Sequence, residues 1–309
     1  DRLPPRNRSQ AMVPRGARTL PNPQGTAPGL AMEGNGAWVV LLPGVPGEMK
    51  AIVGGELDPV LDEAFGERMR PVHHRRIHTT GIAESELAGR LDDVLPDDTG
   101  PVSLAFLPDI RGVDLRLTAR GVGPAEAREW LDRVEEALSP VVDRYRFRAE
   151  SGDIVEAVSR ELERTGRMLA TAESCTGGLV AKRMTDRPGA SRVFRGAVVA
   201  YDDAVKVGVL GVGSDVLERH GAVSREVAEA LAEGVARALR ADAGIGITGV
   251  AGPGGGSAEK PVGLVWYAVA LDGDVEARHR VFPGDRDGIR ERSAQAALAL
   301  LLRRLEDGG

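Results

Sequence analysis

The chain of 309 residues is long for one hydrophobic core, so two or three domains are expected. With 28% charged residues and a net charge of −6, general nucleic-acid binding through a basic surface is not expected. One cysteine excludes an internal disulfide and favours a reducing, cytoplasmic setting. No apolar run approaches the roughly 20 residues that span a bilayer, so no membrane association is expected.

Residues 1–66 are rich in Pro and Gly. They hold one clear strand candidate, residues 38–42, followed by a helix from Glu48. The sequence begins without a methionine, in a polar, arginine-rich segment that does not resemble a signal peptide, and we expect a piece of a longer protein.

Residues 67–150 are expected to form a small α+β domain. Val113, Leu115 and Leu117 alternate with polar residues, which predicts a half-buried strand. The predicted elements are strands at 75–79 and 113–121 and helices at 85–94 and 124–138.

Residues 151–309 alternate helices with strands, which predicts a three-layer α/β/α domain. The last two strands are expected to form a hairpin, so the sheet should be mixed. The predicted strands are 168–172, 196–201, 243–248, 264–271 and 276–282. The predicted helices are 154–165, 179–184, the segment "DAVKVGVLG", one capped by Ser224, and 287–305.

Three loops of this domain follow predicted strands, where open α/β sheets bind ligands. They are residues 173–178, 201–206 and 249–256. In the first loop, Ser174 comes directly before a helix, so nearby amides could bind an oxyanion or phosphate, and Gly177 and Gly178 would let a ligand approach closely. The alternative is a serine that only caps a helix before a flexible turn.

A serine nucleophile needs a group that accepts its proton. The histidines of this domain, His220 and His279, lie outside the three loops. Lys182 is eight residues beyond Ser174, roughly 12 Å along a helix, which is too far for direct transfer. Lys206, five residues after Tyr201, is free of that constraint, although most lysines are only solvated surface charges.

Two further features have both a functional and a structural interpretation. Cys175 could itself be the nucleophile, but most lone cysteines are small buried groups, so we favour Ser174. The glycine-rich segment 247–256 is either a cradle for phosphate and ribose or a long connection between strands. Arg286 and Arg290 lie four residues apart at a helix start, where arginines either bind phosphate or solvate the helix.

Five segments together closely resemble the C-terminal domain of the competence/damage-inducible CinA family. They are "TAESCTGGLVAK", "AYDDAVKVGVLGV", "HGAVSREVAE", "ITGVAGPGGGSAEKPVG" and "FPGDRDGIRERS", in this order within residues 151–305. The resemblance implies a nicotinamide mononucleotide (NMN) deamidase of bacterial pyridine nucleotide recycling, which releases ammonia and nicotinic acid mononucleotide.

By the same resemblance, the catalytic residues are Ser174, Tyr201 and Lys206. The amidase is expected to need no cofactor or metal and to be a homo-oligomer. The residues expected to bind substrate are Thr176, Gly177, Gly178, Thr248, Gly252, Gly254, Gly255, Arg286 and Arg290.

One departure from the family pattern concerns the base. The family commonly has Tyr-Ser-Asn before the lysine, whereas this chain has Tyr201, Asp202 and Asp203. Two carboxylates would favour the charged form of Lys206, which cannot accept a proton. We therefore predict that both aspartates point away from Lys206 and that Tyr201 hydrogen-bonds within the site.

The N-terminal region resembles the second half of the family's molybdopterin-binding-like (MoCF) domain. The segments "NRSQAMVPRGARTLPNPQGTAPGL" and "WVVLLPGVPGEMKAI" carry this resemblance, and the first half has no counterpart here. A divalent metal is expected only for a complete N-terminal domain. The segment "HHRRIH" (73–78) could suggest a metal or RNA contact, but alternating strand positions explain it equally well.

Two other functions stay open from the sequence. One is a nucleotide-binding regulatory or competence-associated protein in which Ser174 only caps a helix. The other is a molybdopterin- or ADP-ribose-handling protein that acts through its N-terminal region.

Overall fold

The computed structural model describes residues 12–66 and 69–307, so residues 7–11 of the N-terminal motif lie outside it. The chain forms two compact units, Asp1–Pro71 and Val72–Gly309. Among the described residues, no helix is both long and apolar enough to cross a membrane.

The first unit contains a three-stranded antiparallel sheet and two helices. Its elements are β1 (Arg18–Leu20), β2 (Gly29–Gly34), β3 (Ala37–Leu41), α1 (Pro46–Ile52) and α2 (Asp58–Phe65). A π-helical turn, Val53–Leu57, joins the two helices. The predicted strand at 38–42 and the helix near Glu48 are confirmed, within two residues. The two preceding strands were not predicted.

The second unit begins with a four-stranded sheet in the order β5-β6-β4-β7, with helices α3 and α4 packed against it. Leu115 and Leu117 of β6 are fully buried, as the alternation predicted. The bounds are β4 (Val72–Thr79), α3 (Glu84–Asp92), β5 (Val102–Asp109), β6 (Gly112–Arg120), α4 (Pro124–Val142) and β7 (Arg146–Phe147).

The rest of the second unit is a five-stranded mixed sheet in the order β12-β11-β10-β8-β9. Its strands are β8 (Leu169–Glu173), β9 (Phe194–Val199), β10 (Ala243–Gly249), β11 (Leu264–Leu271) and β12 (Asp274–Val281). Its helices are α5 (Ile154–Thr165), α6 (Leu179–Thr185), α7 (Asp203–Leu210), α8 (Ser214–His220), α9 (Arg225–Leu239) and α10 (Arg286–Asp307). The predicted β11–β12 hairpin is confirmed.

Helices cover both faces of this sheet, which gives the predicted three layers. α5, α6 and α10 share one core with the sheet, while α9 and its neighbours share another core on the opposite face. β8 is parallel to both β9 and β10. The chain leaves β8 towards β9 on one side, whereas it leaves β10 towards β11 on the other. The carboxyl ends of β8 and β10 therefore flank a topological switch point, where such sheets bind ligands.

Candidate active site

The turn after β8 holds Ser174 at this switch point. The Ser174 N–H donates to the carbonyl of Ile247 in β10 at 3.0 Å, which ties the turn to the neighbouring strand. Gly177 (φ +61°) and Gly178 (φ +89°) adopt left-handed backbone conformations that other residues rarely take. These two glycines therefore allow the chain to turn sharply between Ser174, which is half-buried, and helix α6.

Glu173, the residue before the serine, caps helix α6. Its fully buried carboxylate accepts hydrogen bonds from the N–H groups of Val180 at 3.0 Å and Ala181 at 2.9 Å. The first amides of α6 are therefore occupied by the chain itself. Glu173 was not among the predicted site residues, although a carboxylate at the end of an apolar strand is a recognisable signal for a buried cap.

Lys206 is 1% exposed, and its Nζ has two acceptors in the structure. It donates to the carbonyl oxygen of Tyr201 at 3.2 Å and to Asp203 Oδ1 at 2.6 Å. The prediction that both aspartates point away is therefore wrong for Asp203. Asp203 and Lys206 are three positions apart on one face of the helix. The buried ammonium of Lys206 requires a counter-charge, which the Asp203 carboxylate provides. Asp202 accepts instead from the Ala204 N–H at 2.8 Å and caps α7.

Strand register brings Ser174 next to the loop that holds Lys206. Glu173 pairs with Ile247 of β10 on one side and Val199 of β9 on the other. Neighbouring strands lie about 4.8 Å apart, so Ser174 emerges beside Ala200. No hydrogen bond joins Ser174 Oγ to Lys206 Nζ within residues 69–307.

Two arginines at the start of α10 connect the three loops. Arg286 donates to the carbonyl of Gly252 at 2.6 Å and to the hydroxyl of Tyr201 at 3.5 Å. Arg290 donates through Nη2 to the carbonyl of Thr176 at 2.9 Å. The residues named from three separate segments are thus brought together at one edge of the sheet. Tyr201 is 63% exposed there.

The other residues predicted to bind substrate differ in whether they are exposed or already hydrogen-bonded within the chain. Gly254 and Gly255 lie in the exposed part of the loop that contains Gly252. Thr248 is buried, and its hydroxyl donates to the Ala222 carbonyl at 2.7 Å, so it already has a structural partner. Thr176 is fully buried, and its Oγ1 has no hydrogen-bond partner among the described residues.

Cys175 points into the core that α5, α6 and α10 share. It is 5% exposed, and burial raises the pKa of its thiol to about 12. The carboxylate of Glu173 acts in the same direction, while the N–H groups of Cys175 and Thr176 oppose the shift. A thiol that stays protonated is a weak nucleophile, which favours Ser174 over its neighbour.

The domain's histidines lie outside these loops. His220 Nδ1 approaches Glu226 at 3.5 Å, and the ring of His279 packs 4.3 Å from that of Trp266. Across residues 12–66 and 69–307, no group of three or more His, Cys, Asp or Glu side chains is arranged to hold a metal ion.

Known proteins resemble this chain over most of its length. Residues 152–305 match the family model described as the CinA C-terminal domain, and residues 74–147 match that of the damage-inducible protein CinA KH domain. A CinA-like protein of Gemmatimonas aurantiaca is 44% identical over 302 residues, which cover 97% of this chain and 70% of that protein. The chain belongs to the CinA family.

Other relatives carry similar names. A putative competence-damage inducible protein of Moorella thermoacetica is 42% identical and covers 98% of this chain and 72% of its own length. Among solved structures, the competence/damage inducible protein CihA of Agrobacterium tumefaciens is 41% identical, with a TM-score of 0.48, over 52% of this chain and 99% of that one. A CinA superfamily protein of Klebsiella pneumoniae is 33% identical, with a TM-score of 0.49, over 50% and 96%.

Proposed function

We propose that the C-terminal region of this CinA-family protein hydrolyses the carboxamide of NMN and releases ammonia and nicotinic acid mononucleotide. The observation that carries the proposal is that the turn of Ser174, the loop that leads to Lys206 and two arginines lie together at one switch point of the sheet. The segments that resemble the deamidase are the same ones that form this edge. The proposed setting is the cytoplasm, where pyridine nucleotides are recycled.

Ser174 would act as the nucleophile. Its Oγ attacks the carboxamide carbon while the Oγ proton moves to a neutral Lys206 Nζ, and the same proton then goes to the departing amine as ammonia leaves. Water attacks the resulting acyl-serine ester, which frees the carboxylate product and restores the serine. The N–H groups of Gly177, Leu179, Val180 and Ala181 already donate within the chain, so the oxyanion would have to bind the N–H groups of Cys175, Thr176 or Gly178.

The two arginines and the glycine-rich loop would bind the 5′-phosphate. Arg286 and Arg290 donate to carbonyl oxygens in this structure, and a guanidinium has five N–H donors, so further donors remain for an anion. The exposed backbone at Gly254 and Gly255 can approach a ligand closely, since a Cβ at either position would meet at most one atom at 4.0 Å.

The test of the proposal is incubation of the purified chain with NMN, in which ammonia and the deamidated nucleotide are measured together. Equal amounts of the two products are expected. Free nicotinamide, which lacks ribose and phosphate, serves as the control substrate and should release far less ammonia. If NMN is recovered unchanged at high protein concentration, the chain is not a deamidase, and a regulatory nucleotide-binding role takes its place.

A further inference from the structure

A second cluster of positive charge lies away from the candidate active site. A cavity of about 210 Å³ opens between the four-stranded and five-stranded parts of the second unit. Four of its lining residues are arginines: Arg144, Arg278, Arg280 and Arg303. Its one acidic lining residue, Glu86, already accepts a hydrogen bond from an arginine at 2.7 Å.

Three of these arginines have no carboxylate partner in the described part of the chain. Arg280 donates only to the carbonyl of Gly81, at 2.8 Å. Arg144 has only a stacking contact, with its guanidinium 5.9 Å from the centre of the Tyr145 ring. The Arg303 side chain makes no hydrogen bond with any described residue, and of the four only Arg278 forms an ion pair, with Glu276 at 2.7 Å. Most of the N–H donors around the cavity are therefore unused.

Charges of both signs act on Arg303 at this cavity. Burial lowers the pKa of Arg303, and the negative charge of Glu306 opposes this shift. The positive charges of Arg278 and Arg144 also lower the pKa, and the negative charge of Asp307 raises it. Neither carboxylate forms an ion pair with Arg303 in the described part of the chain, so the guanidinium donors that line the cavity stay free for an anion.

We propose that this cavity binds a small anion that carries two linked phosphates. Such a group offers several charged acceptor oxygens, so it can satisfy guanidinium groups from both walls at once, and arginine is the side chain best suited to that geometry. The cavity volume of about 210 Å³ admits a diphosphate group. Because Arg144 precedes β7 and Arg303 lies on α10, a bound diphosphate would join the two parts of the unit. This inference does not depend on the proposed deamidase activity.

The experiment is calorimetric titration of the full chain with inorganic pyrophosphate at constant ionic strength. Wild type is expected to show a binding event that weakens at least tenfold in the double variant Arg144→Gln/Arg303→Met, in which methionine keeps an apolar stem at the half-buried position. Arg144 is exposed and makes no hydrogen bond among described residues, so Arg144→Gln alone is expected to fold normally and to weaken binding at least threefold.

Two control variants show which site binds pyrophosphate. Arg286→Gln removes a donor from the candidate active site and should leave this binding event in place. Arg195→Gln removes an exposed arginine from β9, outside the cavity, and should change affinity less than twofold. No binding in wild type overturns the proposal. Equal binding in wild type and the double variant also overturns it, and loss of binding in Arg286→Gln would instead assign the anion to the candidate active site.

Discussion

Replacement of Asp203 by asparagine tests whether Lys206 is the base. Asp203 Oδ1 lies 2.6 Å from Lys206 Nζ, and the lysine side chain is 2% exposed while the aspartate is 61% exposed. The negative charge of Asp203 stabilises an ammonium at this position, and an ammonium cannot accept the serine proton. Asparagine keeps a neutral acceptor oxygen of the same shape, so Asp203→Asn removes the charge with little change in packing.

The expected size of the effect follows from this geometry. An ion pair between a buried ammonium and a largely exposed carboxylate contributes about 1–2 kcal/mol, between the values for surface pairs and for charged hydrogen bonds. Because about 1.4 kcal/mol is a factor of ten in an equilibrium constant, removal of this pair should change any activity that depends on an uncharged Lys206 by about tenfold. If Lys206 is the base, kcat at neutral pH should rise by up to the same factor. The gain in kcat should be largest at neutral pH and smaller at about pH 10.

The assay is the initial rate of ammonia release from saturating NMN between about pH 6 and pH 10. Asp202→Asn is the matched control, because the Asp202 side chain caps α7 and makes no hydrogen bond with the Lys206 ammonium. Asparagine caps equally well, so kcat should stay within twofold. Lys206→Arg should be nearly inactive, since a guanidinium stays protonated. An unchanged or lower kcat in Asp203→Asn, together with an active Lys206→Arg, would show that Lys206 acts only as a fixed positive charge.

Three further outcomes follow from the site. Nicotinamide riboside, which lacks the phosphate, should have a kcat/KM at least about a hundredfold below that of NMN, and equal values would remove Arg286 and the glycine loop from phosphate binding. The Cys175 thiol, with its pKa of about 12, should resist a thiol-specific disulfide reagent at pH 8 until denaturant is added; full labelling of the native protein within minutes would contradict its burial. Glu173→Gln should lower the free energy of unfolding by about 1–3 kcal/mol in urea titrations, because one amide of α6 loses its acceptor, and an unchanged midpoint would mean that the cap contributes nothing.

Local signals in the sequence account for much of the fold. Helix α5 was predicted with its observed bounds, Ile154–Thr165, because Asp153 caps its start and Gly166 ends it in a left-handed conformation (φ +66°). β1 and β2 were missed because they are short and lie in a segment rich in Pro and Gly, where pairing with β3 rather than local pattern decides the structure.

The candidate site could be predicted only in part, because the sequence indicates which segments meet but not where their side chains point. A general rule for open α/β sheets pointed to the three loops and to Ser174, whereas the role of Tyr201 came from the family resemblance and Arg286 from its place at a helix start. Side-chain direction does not follow from such rules. The sequence did not show that Asp203 would turn inward to Lys206, because that depends on which face of a short helix is buried.

The most direct measurement compares ammonia release from NMN by wild type, Ser174→Ala and Cys175→Ala under identical conditions. The account predicts that Ser174→Ala lowers kcat by at least about three orders of magnitude, because the covalent route is lost, while Cys175→Ala stays within about fivefold of wild type. An active Ser174→Ala beside an inactive Cys175→Ala would contradict it and make the neighbouring cysteine the nucleophile.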